Sequence, residues 1–141
     1  MIIGLSSKLK RKKNLEKTKP LILITDDEEM ITSIFEDGLY LEMKDQIEIE
    51  VTETSQNAIR LTKSIPYDIL ILDHRMPSIK GAEIAHKIRA ELGPNHKTPI
   101  IFVSGYLKEA KMATETLENI YYLPKPLIFK DLSKLIKKIT G

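Results

Sequence analysis

The chain has 141 residues, 22 of them basic and 20 acidic, for a net charge of +2. That length suits one domain of about 100–200 residues, and the near-balance of charge argues against a nucleic-acid-binding body. The absence of Cys excludes disulfides, thiolate metal sites and Cys nucleophiles, and it fits a reducing, cytoplasmic setting. No run of about 18 apolar residues is present, so no helix is expected to cross a membrane.

In chain order, residues 1–19 come first as a basic N-terminal arm. Seven basic side chains (Lys8, Lys10, Arg11, Lys12, Lys13, Lys17, Lys19) stand against Glu16, a net +6. The other 15 basic and 19 acidic residues leave the rest of the chain at −4. The arm is not a signal peptide, because its apolar start, Met1 to Leu5, is too short and precedes its charges. A flexible, solvated tail is the expectation. The alternative is an adaptor arm touching anionic lipid or nucleic acid, with Ile2, Ile3, Leu5 and Leu9 as a thin apolar stripe. Pro20 marks the boundary, and residues 20–141 are expected to form the folded domain.

Leu21-Ile22-Leu23-Ile24 reads as a buried strand, and so do Ile69 to Leu72 and Ile100 to Val103. Strands that are apolar on both faces belong to a parallel sheet between helix layers. Between the first two, Gln46 to Thr52 alternates Ile47, Ile49 and Val51 with polar residues, as an edge strand does. Ile120 to Leu123, stopped by Pro124, is the fifth strand. Apolar residues at helical spacing fill the gaps. Met30, Ile31, Ile34, Phe35 and Leu39 predict a first helix, and Ala58, Ile59, Thr62 and Ile65 a second, capped by Thr54 or Ser55. Ile84, Ala85, Ile88 and Leu92 predict a third, ended by Gly93-Pro94. Leu107, Ala110, Ala113 and Leu117 predict a fourth, and Ile128, Leu132, Leu135, Ile136 and Ile139 a fifth. The alternation gives a doubly wound (βα)5 α/β domain with a five-stranded parallel sheet.

In such sheets ligands bind beyond the carboxyl ends of the strands. Asp26 and Asp27 follow the first strand, Asp73 the third, Ser104 ends the fourth and Lys125 follows the fifth. Three clustered carboxylates repel unless a cation intervenes. Mg²⁺ suits an oxygen-only set and leaves room for a phosphate oxygen. The set fits phosphoryl transfer, with a carboxylate as nucleophile giving an aspartyl-phosphate. Taken singly, each residue has a plainer reading. Asp26 to Glu29 reads as helix capping, Ser104 as a cap, Lys125 as part of a Pro-flanked turn and Tyr122 as a half-buried strand aromatic. His74, His86 and His96 show no metal-ligand spacing, and His86 and His96 are expected to be solvated.

Together, Asp26-Asp27, Asp73-His74-Arg75-Met76-Pro77 with Gly81, Val103-Ser104-Gly105 and Lys125-Pro126 resemble the response-regulator receiver domain of two-component signalling, of the chemotaxis-type single-domain kind. The resemblance covers residues 21–139 and implies the flavodoxin-like strand order 2-1-3-4-5. It implies Asp73 as phosphoacceptor, with Asp26, Asp27 and Asp73 binding Mg²⁺, helped by the Arg75 backbone carbonyl. Lys125, before a cis proline, would contact the phosphoryl oxygens. Ser104 and Tyr122 would be the switch pair, with Gly105 leaving room, and Arg75 and Tyr106 would tune phosphoryl lifetime. Both are bulky here, so slow self-dephosphorylation is expected. The implied donor is a sensor histidine kinase or histidine phosphotransfer protein. The implied output is an unknown downstream protein on the face formed by the fourth helix, fifth strand and fifth helix. No attached DNA-binding domain is expected, nor enzymatic turnover beyond the domain's own phosphorylation and dephosphorylation. A monomer or a weak phosphorylation-dependent dimer is expected. The competing reading is a pseudo-receiver, an interaction module that carries no phosphate.

Overall fold

A computed structural model describes residues 19–141. The basic arm, apart from Lys19, lies outside the described residues. The strands are β1 (Leu21–Thr25), β2 (Glu48–Thr52), β3 (Ile69–Leu72), β4 (Ile100–Ser104) and β5 (Ile120–Pro124). The α-helices are α1 (Glu29–Met43), α2 (Ser55–Ser64), α3 (Gly81–Ala90), α4 (Leu107–Thr114) and α5 (Phe129–Thr140). All pairings are parallel, in the order β2-β1-β3-β4-β5. The expected topology is therefore found, with β2 at an edge.

Alternation along the strands divides the core in two. Ile22, Ile24, Ile69, Ile71, Ile101 and Val103 meet Phe35, Leu39 and Met43 of α1 and Leu132 and Ile136 of α5. Leu21, Leu23, Leu70, Leu72, Ile100 and Phe102 meet Ile84, Ala85 and Ile88 of α3 and Ala110 of α4, with Ile59 of α2 alongside. A sheet whose strands are buried on both faces needs such two-sided cover. α1 and α5 also touch directly. The Phe35 and Phe129 rings pack edge to face at 5.9 Å. Gly38 lies under the same ring, where a β-carbon would stand 2.5 Å from it.

Several helix details differ from the sequence expectation. Thr32, Phe35, Leu39 and Met43 form the buried row of α1, while Met30 and Ile34 are exposed. Each stands two residues, about 200° of rotation, from Thr32, so both face away from that row. Ile47, just before β2, is buried; on β2 Ile49 is half-buried but Val51 is exposed, since an edge strand has a neighbour on one side only. α3 stops at Ala90 and leaves Leu92 exposed. There the Arg89 guanidinium gathers the carbonyls of Asn95, His96, Thr98, Glu118 and Asn119, so the chain is pulled into a loop before Gly93. α4 ends at Thr114, and Leu117 reaches the core from a turn instead. Ile128 precedes α5 and is exposed. Thr54 caps α2 as expected, accepting from the Asn57 N–H at 3.1 Å.

Candidate functional site

Parallel register brings the carboxyl ends of the strands to one rim. Thr25 of β1 pairs with Thr52 and Leu72, Leu72 with Phe102, and Ser104 with Pro124. The residues just beyond are Asp26, Asp27, Asp73 and Lys125. Oxygens of Asp26, Asp27 and Asp73 all lie within 4.8 Å of one another. Asp26 is buried, Asp73 half-buried and Asp27 exposed. The Lys125 ammonium bridges two of them, donating to Asp73 at 2.9 Å and to Asp26 at 3.0 Å. Its backbone N–H is fixed to the Ser104 carbonyl at 3.0 Å, and the Lys125–Pro126 bond is cis.

One ammonium does not balance three carboxylates. Burial pushes the Asp26 carboxyl above its ordinary range, against the hydrogen bonds from Lys125 and the Glu28 N–H, and the nearby Asp73 charge pushes the same way. Burial alone would lower the Lys125 ammonium, but its two carboxylate partners outweigh that and hold it above its ordinary value. Lys125 is thus charged, while Asp26 is a carboxylate short of positive charge. An oxygen-only donor set with that deficit fits a hard divalent cation.

The loop after Asp73 is built to hold its place. The Gly81 N–H returns to the His74 carbonyl at 2.8 Å, and a β-carbon on Gly81 would overlap the Asp73 carbonyl oxygen. Ser78 has φ 75° at the centre of a tight turn in which the Ile79 N–H meets the Pro77 carbonyl. The first turn of α2 braces it, with Ser55 donating to the Ile79 carbonyl at 2.6 Å and Gln56 to Ser78 at 2.9 Å.

The remaining expected site residues line the side toward α4. Ser104 is buried, and its hydroxyl accepts from the Tyr106 N–H at 3.0 Å, a local cap on the turn into α4. The Tyr122 ring stacks on Phe102 at 6.0 Å, and its hydroxyl shares a 2.6 Å hydrogen bond with Thr114 of α4. Phe102 in turn meets the His74 ring at 6.4 Å. A file of rings therefore runs from the residue after Asp73 to Tyr122. Arg75 and Tyr106 touch each other, with the guanidinium carbon 3.7 Å from the ring centroid. The N-cap residue of α1, Glu28, makes no side-chain capping bond, but Asp26 accepts from the Glu28 N–H at 3.2 Å and Glu29 stands in the first turn, so these acids also serve the helix start.

The sequence assigns no role to two residues of this region. His74 is buried, and burial pushes its imidazole below the ordinary value. Glu109 of α4 stands 3.1 Å from Arg75 and 3.6 Å from both Lys80 and His74. An acid in the first turn of a helix reads as an ordinary end effect, so nothing in the sequence marks Glu109. His86 is exposed on α3 and His96 is half-buried in the loop after it, as expected, and their rings lie against the carbonyls of Ala113 and Glu91 at 2.7 and 3.1 Å.

Residues 22–137 match the response regulator receiver domain family. The chain belongs to that family. Among curated relatives of this receiver domain, the transcriptional regulatory protein BtsR of Salmonella typhi is 30% identical over 122 residues, covering 84% of this chain and 47% of that protein. Hybrid signal transduction histidine kinase G of Dictyostelium discoideum is 29% identical over 128 residues, covering 89% of this chain and 4% of that protein. The receiver chain thus spans about half or less of the length of these relatives. Among solved structures, the response regulator TrrA of Thermotoga maritima, in complex with Mg²⁺-BeF, is 29% identical with a TM-score of 0.72, covering 86% of this chain and 99% of that one. The chemotaxis protein CheY4 of Vibrio cholerae shares the fold with a TM-score of 0.76 at 21% identity, covering 86% and 99%. Among the described residues no helix is long and apolar enough to cross a membrane.

Proposed function

We propose that this receiver takes a phosphoryl group from a phosphohistidine onto Asp73 in a Mg²⁺-dependent step and passes the change to a partner protein. The observation that carries this reading is the placement of Asp73 beside two further carboxylates and under the Lys125 ammonium. Asp26, Asp27 and Asp73 are the residues to hold the ion through side-chain oxygens, with the Arg75 carbonyl as a further oxygen. Bound there, Mg²⁺ supplies neutralisation of the phosphoryl oxygens and of the acidic cluster. An Asp73 carboxylate oxygen attacks phosphorus, and the new P–O bond forms as the P–N bond of the donor breaks. The electron pair leaves with the imidazole nitrogen, which takes a proton from water. Lys125 changes partner from the carboxylates to the phosphoryl oxygens, a charge-assisted contact that needs no large movement.

Ser104 gives up its bond to the Tyr106 N–H and turns its hydroxyl to the phosphoryl group. Tyr122, bonded to Thr114, reports the rearrangement on α4. Phosphorylation then shifts a pre-existing equilibrium of the α4–β5–α5 face. The protein is a signalling phosphoacceptor that assists its own phosphorylation and dephosphorylation and turns over nothing else. Its donor is a sensor histidine kinase or a phosphotransfer protein, and its setting is the cytoplasm.

The test is incubation with acetyl phosphate and Mg²⁺, read by intact mass. One phosphoryl is gained, and the gain is lost with EDTA and in Asp73→Asn. No gain from acetyl phosphate or from any kinase tried makes the domain a pseudo-receiver.

A further inference from the structure

This inference rests on the phosphoryl transfer proposed above. Arg75 and Tyr106 leave the rim in step, two residues beyond Asp73 and Ser104. Their side chains stack at 3.7 Å, yet the Arg75 side chain is 52% exposed. A long side chain in solvent ordinarily keeps its rotamer freedom. Here one carboxylate takes that freedom away. Glu109 accepts from the Arg75 Nε at 3.1 Å, and it also draws Lys80, just before α3, and His74, just after Asp73. Glu109 therefore ties the acceptor loop to the first turn of α4 through Arg75 and Lys80, with the His74 ring alongside. The Arg75 guanidinium beside it holds its carboxyl below the ordinary carboxylate range.

We propose that Glu109 is a positioning residue, fixing Arg75 on the Tyr106 ring as a cover beside Asp73 that lengthens the life of the phosphoryl group. Loss of that group requires water to attack phosphorus. The P–O bond to Asp73 then breaks, the electron pair returns to the carboxylate, and the proton of the water goes to solvent. The Asp73 side chain is only 12% exposed, so the approach is already narrow. A stacked pair anchored two residues beyond both Asp73 and Ser104 is placed to narrow it further. Glu109 contributes no atom to the reaction and acts only through Arg75.

The experiment follows decay of the phosphoryl group by intact mass after acetyl phosphate is removed, in the full chain. Glu109→Gln is expected to decay about two- to fivefold faster, the range an exposed ion pair can sustain. Arg75→Ala decays at least as fast, and the double variant no faster than Arg75→Ala alone, because the two act as one unit. In protein labelled with 3-fluorotyrosine, the fluorine resonance assigned to Tyr106 through Tyr106→Phe moves in Glu109→Gln and Arg75→Ala, while that of Tyr67 stays. A merely structural effect moves both. Unchanged decay in Glu109→Gln, or additive effects in the double variant, overturns this inference and leaves the proposed function standing. A wild-type chain that gains no phosphoryl removes both.

Discussion

The Lys125 ammonium donates to the Asp73 carboxylate at 2.9 Å, although β5 and β3, which carry them to the rim, are separated by β4. The reach works because the Lys125 backbone is hydrogen-bonded to the last residue of β4, so its side chain starts above the intervening strand. A partner 52 residues away in sequence becomes the nearest cation to the acceptor.

Lys125→Met removes that cation while keeping an apolar stem of similar length. The rate of phosphoryl gain from acetyl phosphate falls about tenfold to hundredfold, as for other preorganised donors to a developing charge. Lys125→Arg keeps the charge but not the point-like geometry, and its rate lies between the two. Time courses of intact mass measure all three.

Asp26→Asn is expected to stabilise the metal-free protein. The folded carboxyl sits above its ordinary value, chiefly through burial. Its favourable contribution is therefore complete below the unfolded value of about 3.9 and is lost as pH rises through the folded value. At neutral pH the fold carries an unfavourable buried carboxylate, which the amide replaces without charge. In EDTA the unfolding midpoint of Asp26→Asn lies above that of the wild type. With Mg²⁺ at a hundredfold excess over its Kd, the wild type gains about 2.7 kcal/mol and the variant much less. Thermal melts with and without Mg²⁺ read both effects.

Gly81→Ala places a β-carbon against the Asp73 carbonyl, a backbone atom that cannot swing aside. A cost of about 1–3 kcal/mol is expected, as for other overpacked sites, together with slower phosphorylation. Gly93→Ala meets nothing within 4 Å and stays within about 0.5 kcal/mol of the wild type. Urea denaturation of the pair separates the packing effect from a general intolerance of alanine.

Tyr67 supplies the pH dependence on the alkaline side. Its hydroxyl donates to Glu50 at 2.7 Å, and burial, helped by Glu50, pushes the phenol well above its ordinary value. The folded state therefore favours the neutral phenol. That contribution is intact below about pH 10 and is lost as pH rises beyond it toward the folded value. Tyr67→Phe is less stable at pH 7 by about 1–2 kcal/mol. The gap to the wild type narrows in melts above about pH 10.

The strands and the site rim are legible in the sequence because each is encoded locally. A strand buried on both faces must be continuously apolar, and its terminal residues are known once its end is known. Asp26, Asp27, Asp73 and Lys125 are therefore brought together by topology alone. The clamp made by Glu109 is not legible, because Arg75 lies 34 residues away and the contact depends on how far α4 has turned at its first residues. The C-terminal end of α3 escapes for a similar reason. Arg89 collects carbonyls from two separate loops, and its own position in the helix carries no sign of that. Met30 and Ile34 show the limit of apolar spacing, which gives the period of a helix but not which side of it is covered.

The most direct test of phosphoryl transfer to Asp73 is chemical trapping of the acyl phosphate. Protein treated with acetyl phosphate and Mg²⁺ is reduced with borohydride, which converts a phosphorylated aspartate to homoserine, and is then digested and read by peptide mass. Conversion is expected at position 73 alone, and only when Mg²⁺ was present. Conversion at Asp26 or Asp27, or the same yield at Asp73 in EDTA, would contradict the account.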